Sequence, residues 1–240
     1  MKILCVIDSL GSGGAQRQLV ELAIGFKERG HEVSFLVYHG EDFFRGYLDE
    51  VKISVYVIIE KNYLKRLFKM RNYIRKGNYN AVLSFLEAAN FICEFAGLPW
   101  RKWKLIVGER SSNPQMLRSL KLRFFRWFHV FAGNVVANSY YNMSIVRKIN
   151  PLLPKTKCSV IYNMIDFERW KPSIEYIPLK HSKLTLVVVA SHGAIKNLKG
   201  LVSAVKLLTT KEKRKIVIKW YGEDRGDTAL LDALKTIEKN

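Results

Sequence analysis

The feature that most narrows what this chain can fold into is a strand–loop–helix–strand unit in its first 37 residues. An apolar run, Ile3-Leu4-Cys5-Val6-Ile7, breaks at Asp8-Ser9. A glycine-rich loop follows, Gly11-Ser12-Gly13-Gly14-Ala15, and an amphipathic helix begins near Gln16-Arg17. The helix ends at Gly30, and a second apolar run, Val33-Ser34-Phe35-Leu36-Val37, starts almost at once. Glycines at a strand-to-helix handover let a ligand approach bare backbone, and the helix N-terminus behind them favours negative charge. The pattern predicts a parallel sheet with a nucleotide or phosphate at the carboxyl ends of its strands.

The alternation continues along the chain. Short apolar runs predict strands at 2–8, 32–38, 53–59, 80–85, 104–109, 134–138 and 158–162. Helices are expected at 15–29, 62–76, 88–96, 115–131 and 140–148. Strands without clean alternation suit a sheet covered on both faces, so the fold class is α/β, doubly wound and Rossmann-type. This first domain is expected over 1–165, followed by a proline-bearing linker at 166–183. At 184 the pattern restarts with strands at 184–190 and 215–221 and helices at 196–208 and 228–239. Two strands and two helices cannot bury both faces of a parallel sheet. The second domain, 184–240, is therefore expected to be incomplete, through fragmentation or natural truncation.

Composition adds one unusual number. The 240 residues carry 40 Lys and Arg against 21 Asp and Glu, a formal net charge of +19. Residues 61–157 hold 19 of the basic residues and three acids, Glu87, Glu94 and Glu109, which concentrates +16 in one segment. Such a field implies an anionic surface or a polyanion as partner, beside the plainer reading of a solvated basic face. Three cysteines, Cys5, Cys93 and Cys158, sit at no metal-ligand spacing and suggest reduced core thiols in a cytosolic setting.

Several segments together resemble the retaining glycosyltransferases of family 4, which have the GT-B architecture of two Rossmann-type domains. They are Gly13-Gly14-Ala15-Gln16-Arg17, Gly30-His31-Glu32-Val33, Gly108-Glu109-Arg110-Ser111-Ser112-Asn113-Pro114, Val135-Val136-Ala137-Asn138-Ser139, Val160-Ile161-Tyr162-Asn163-Met164-Ile165-Asp166 and Lys196-Asn197 with Leu201 and Ala204. Each is weak alone; their joint order across residues 1–222 is specific. The resemblance implies transfer of a sugar from a nucleotide diphosphate sugar to a glycan or lipid-linked acceptor, in cell-surface polysaccharide or glycolipid synthesis. It implies an N-terminal acceptor domain and a C-terminal donor domain, with no cofactor or bound metal. Two alternatives stay open: an inactive α/β module that binds membrane or glycan, and another two-Rossmann nucleotide-sugar enzyme such as an epimerase.

By this resemblance Gly13, Gly14, Ser191, Lys196 and Glu223 bind the donor, and Glu109 and Arg110 the acceptor. Lys196 matches the lysine that grips the donor diphosphate. The arginine expected five residues earlier is replaced by Ser191, with His192 beside it. The family's paired glutamates are expected beyond Asn240, and no catalytic nucleophile is assigned. Ser139 and Asn138 read better as a helix cap than as ligands.

A helical wheel over 116–131 puts Met116, Leu117, Leu120, Phe124, Trp127, Phe128 and Phe131 on one side, read as core. Basic residues lie on the other, interrupted by Leu122 and Phe125. With the basic run at 61–76, this predicts a face on an anionic bilayer made of Lys65, Arg66, Lys69, Arg118, Lys121, Leu122, Phe125 and Arg126. The expected location is the cytoplasm, peripheral at the inner face of the plasma membrane. Nucleic acid ranks below lipid as the anionic partner, because no recognised nucleic-acid module is present.

Overall fold

A computed structural model describes residues 1–111, 114–168, 171, 183–192, 196–223, 231 and 233. The chain divides into two compact units, Met1–Asp166 and Phe167–Asn240. The first is built on a seven-stranded sheet in which every pairing is parallel. Its strands are β1 (Lys2–Val6), β2 (Glu32–Val37), β3 (Ser54–Val57), β4 (Ala81–Phe85), β5 (Lys104–Glu109), β6 (Asn134–Ala137) and β7 (Cys158–Val160). Their spatial order is β3-β2-β1-β4-β5-β6-β7. The order reverses at β1, which pairs with both β2 and β4. Crevices at such reversals are where open α/β sheets bind ligands.

Both faces are buried, which explains the unbroken apolar runs. Ile3, Cys5 and Ile7 point into one core with Leu19, Val20 and Ala23 of α1 (Gly14–Glu28) and Leu48 of α2 (Arg45–Glu50). Leu4 and Val6 point into the other, with Leu67, Met70 and Ile74 of α3 (Tyr63–Lys76), Ile92 of α4 (Glu87–Ala96), Phe125 of α5 (Leu120–Trp127) and Val146 of α6 (Tyr140–Ile149). Full burial of each such side chain stabilises the fold by about 1.5–3 kcal/mol. Helix α1 stops at Gly30, whose φ of 77° is a left-handed conformation that glycine adopts without steric cost.

Two details depart from the sequence expectation. Helix α2 has only six residues, too few to show a period. The single helix expected at 115–131 is broken into a 3-10 turn (Pro114–Leu117), α5 and a second 3-10 turn (Phe128–Phe131). Ser119 starts α5 afresh, its Oγ accepting from the Leu122 amide at 3.4 Å. After β7 the chain runs back to α1. There the buried Gln18 amide both donates to the Met164 carbonyl and accepts from its N–H, each at 2.8 Å.

In the second unit β8 (Leu184–Val189) pairs in parallel with β9 (Ile216–Tyr221). Between them lie α7 (Leu198–Lys206) and the short α8 (Thr210–Lys213), which carries a capping box between Thr209 and Glu212. The helix expected at 228–239 falls almost wholly outside the described residues, as does most of the linker.

Candidate functional site

Because the large sheet is all parallel, the carboxyl ends of its strands share one edge. Asp8 stands where β1 ends. Its carboxylate accepts from the Ser9 amide at 2.7 Å and from Gln16 Nε2 at 3.0 Å. Its carbonyl accepts from the amides of Tyr38 and His39 at 3.0 and 2.8 Å. One residue thus ties the glycine loop, the first turn of α1 and the end of β2 together. Burial raises the Asp8 pKa above the usual carboxylate value.

Gly13 is the N-cap of α1 and Gly14 its first residue. Neither takes a left-handed conformation, so the backbone does not demand glycine at either place. A Cβ added to Gly14 would meet nothing within 4 Å. The N-cap makes no side-chain hydrogen bond, and the first turn holds no acid. The helix therefore presents its amides without a capping side chain, which suits a phosphate.

Glu109 and Arg110 close β5. The Glu109 side chain, read from the sequence as an acceptor contact, is 2% exposed and turned inward. Oε2 accepts from Arg126 Nη2 at 2.8 Å and Oε1 from His129 Nε2 at 2.9 Å. His129 Nδ1 bonds Glu94 Oε1 at 2.7 Å, and Arg126 reaches Glu87 at 3.3 Å. Burial opposes the charge on His129, but the Glu94 charge and the hydrogen bonds the ring donates to both carboxylates outweigh it and raise the pKa to about 9. Burial likewise works against the Glu109 carboxylate; the His129 hydrogen bond and the Arg126 charge prevail and hold it below the usual range. The expectation that Glu109 stays ionised near cations fits; direct contact of its carboxylate with an acceptor does not.

Arg110 is half-buried, and burial lowers its pKa from the ordinary guanidinium value. Its guanidinium lies 4.0 Å from the centre of the Phe85 ring, and its Nε and Nη1 have no hydrogen-bond partner among the described residues. Asn142 Nδ2 donates to the Glu109 carbonyl at 2.9 Å and Asn138 Nδ2 to the Arg110 carbonyl at 3.3 Å. Ser139 caps α6, its Oγ accepting from the Asn142 amide. Leu86, between β4 and α4, sits at φ 76°, ψ 151°, a region almost reserved for glycine. Such strain at a sheet edge costs roughly 1–3 kcal/mol and is concentrated at functional sites.

In the second unit the ends of β8 and β9 bring Ser191, His192 and Glu223 together. The His192 amide donates to the Glu223 carbonyl at 3.0 Å, and its ring stacks on Trp220. Gly222 is required: a Cβ there would lie 1.9 Å from the Ala190 carbonyl oxygen. Lys196 is exposed but lies outside α7, correcting its expected place in the first helical turn. Asn197 takes a left-handed conformation (φ 57°) and starts the helix after it.

The basic membrane face is only partly as expected. Lys65, Lys69, Arg118 and Lys121 are exposed. Arg66 is half-buried and stacks on Tyr38 and Tyr63. Leu122 packs against Met116, Ile145 and Ile149. Phe125 lies in the core, and Arg126 is fully buried. Of the residues expected in the core, Met116 is buried and Phe128 packs against the core, but Leu117, Leu120, Phe124, Trp127 and Phe131 are exposed. The helix is rotated because the buried Glu94 and Glu109, with the partly exposed Glu87, draw Arg126 and His129 inward. Asp8, Glu94 and His129 were not picked out from the sequence as site residues, and Arg126 was picked out only for the bilayer face. The available signal was that three acids in so basic a segment call for cationic partners.

The family model for Glycosyltransferase Family 4 matches residues 12–169, beginning in the glycine loop. The chain belongs to this family. A protein of Campylobacter jejuni subsp. jejuni, named GalNAc-alpha-(1->4)-GalNAc-alpha-(1->3)-diNAcBac-PP-undecaprenol alpha-1,4-N-acetyl-D-galactosaminyltransferase, is 33% identical over 135 residues, which is 52% of this chain and 36% of that protein. Among solved structures, Anabaena Alr3699/HepE in complex with UDP matches all of this chain and 65% of its own, with a TM-score of 0.76 at 17% identity. The lipopolysaccharide outer core galactosyltransferase WaaB matches all of this chain and 72% of its own, with a TM-score of 0.63 at 13% identity. The chain thus spans about a third of the curated relative and under two thirds of the Anabaena protein. These structural likenesses support the Rossmann-like fold of GT-B glycosyltransferases.

Proposed function

We propose that this chain takes part in moving a sugar from a nucleotide diphosphate sugar to a lipid-linked or glycan acceptor, with retention of anomeric configuration. The observation that carries the reading is the family match over residues 12–169, which starts at the uncapped N-terminus of α1. The developing charge on the leaving diphosphate is met by fixed dipoles and cations, the largest contribution in many such sites. Gly13 and Gly14 with the amides of α1, and Ser191, Lys196 and Glu223 in the second unit, serve the donor. Arg110 serves the acceptor from the edge of β5, while Glu109 holds that loop from beneath. The UDP in the Anabaena structure supports a nucleotide-sugar donor, and the PP-undecaprenol in the name of the Campylobacter relative supports a lipid-linked acceptor. Such an acceptor supports a peripheral position at the inner face of the plasma membrane.

The test is nucleotide release from a panel of nucleotide diphosphate sugars, with and without polyprenyl-diphosphate glycan acceptors. Release that depends on acceptor, with the sugar appearing on it, is the expected result. An epimerised sugar, or no turnover with any donor, would replace transfer by one of the two alternatives.

A further inference from the structure

We propose that the α3–α4–α5 face of the first unit docks on an anionic phospholipid bilayer by inserting a band of aromatic side chains, with cations at its margins. This deepens the peripheral-membrane reading above and rests on it, but it reverses which side of α5 meets the lipid. Its members are linked by ring contacts that run through Phe91, which is itself buried in the core. Phe68 on α3, 53% exposed, meets Phe95 on α4 at 5.7 Å between centroids. Phe95 stacks on Phe91, and Phe91 meets Phe124 at 5.8 Å. Phe124, 52% exposed, meets Phe128 at 5.0 Å, and Phe128 meets Phe131 at 5.5 Å. Leu64 and Leu120, both exposed, extend it. Exposed large apolar groups gathered on α3, on α5 and on the 3-10 turn that follows it mark a docking surface.

Charge selects lipid as the occupant. Exposed Lys65 precedes Phe68 by one turn, and Lys121 and Arg123 flank Leu120 and Phe124. Of the acids in 61–157, Glu94 and Glu109 are buried and Glu87 is turned to Arg126; the adjoining Glu60 is taken up by Lys69 at 2.6 Å. At the Phe131 end, Arg101 donates to the Phe131 carbonyl at 2.6 Å. Arg101 also lines a cavity of about 110 Å³ with Arg75, Lys102 and Trp103. The buried Trp103 Nε1 has no acceptor among the described residues. A lipid phosphodiester supplies acceptors for such a notch, and the exposed Trp100 on its rim is a side chain suited to the headgroup level.

The experiment is co-sedimentation with phosphatidylcholine vesicles with and without phosphatidylglycerol, together with quenching of Trp127 fluorescence by brominated lipid. The full chain should bind the anionic vesicles, and the quenching should fall in Trp127→Phe by the share that Trp127 contributes. Phe68→Ser combined with Phe124→Ser should weaken binding roughly tenfold or more while the melting temperature holds. Lys65→Glu combined with Lys121→Glu should weaken it at low salt only. Absence of binding at low salt overturns the proposal. So do unchanged affinity of the phenylalanine variant, lack of quenching of Trp127, and retention on oligonucleotides lost through the same two phenylalanines. Neither donor nor acceptor is used, so failure here leaves sugar transfer standing, and failed transfer leaves docking standing.

Discussion

Between residues 61 and 157 the chain carries only Glu87, Glu94 and Glu109 as acids, and all three engage two cations, Arg126 and His129. The cluster is nearly dry, so its charges are coupled through a medium far less polar than water. His129 is the member whose ordinary titration, in the unfolded chain, falls near neutrality. Its pKa rises from the ordinary 6.5 to about 9, which means the folded state holds the proton more tightly than the unfolded chain. The resulting stabilisation is complete below about pH 6.5 and is lost as pH rises through about 9, a change on the order of 3 kcal/mol. Urea unfolding across that window should show stability declining, and His129→Gln should remove the His129 part of the decline. The same variant should also be less stable at neutral pH by about 3–5 kcal/mol, because Glu94 is left buried without its cation while Glu109 keeps only Arg126. A wild-type stability flat from pH 6.5 to pH 9 would show that His129 is not charged in the fold.

At the scale of elements, the strands were legible because a sheet buried on both faces needs unbroken apolar runs, and Ile3 to Ile7 could serve little else. The glycine loop was legible too, since Gly13 and Gly14 precede a helix whose amides no neighbouring side chain caps. The facing of α5 was not. Its wheel has apolar groups on two sides, and the choice was made by Glu87, Glu94 and Glu109, which reach it only through the tertiary fold. Local periodicity therefore gave the right helix with the wrong side inward. The start of α7 was missed for a local reason, the left-handed Asn197, which a period cannot reveal. Helix α1 offers the sharper test of the donor assignment. Gly14→Asp adds an acid to an open first turn, where the helix dipole favours it by about 0.3–1 kcal/mol. The same charge repels a diphosphate. The variant should melt no lower than wild type, yet its KM for donor should rise by roughly tenfold or more. Unchanged donor kinetics would remove this helix from the donor site.

At the scale of the whole molecule, the two units differ in how much of themselves they bury. The first closes two cores over a seven-stranded sheet and fastens its return segment to α1 through Gln18 and Met164. In the second, β8 pairs only with β9 among the described residues, and most of its side chains are exposed. Cooperative unfolding follows from shared burial, so the first unit should carry a transition of its own. A chain cut after Asp166 should unfold in one calorimetric step, with a heat-capacity increment of about 2 kcal/mol/K, as expected for a domain of that length. Its calorimetric and van't Hoff enthalpies should agree, and its midpoint should match a transition of the full chain. The vesicle-docking face lies wholly within this unit, so the shortened chain should also keep its affinity for anionic lipid. A broad transition with no heat-capacity step would mean that residues beyond Asp166 complete the first core, and the cut would have to move toward the C-terminus before either unit could be assigned a separate role in transfer.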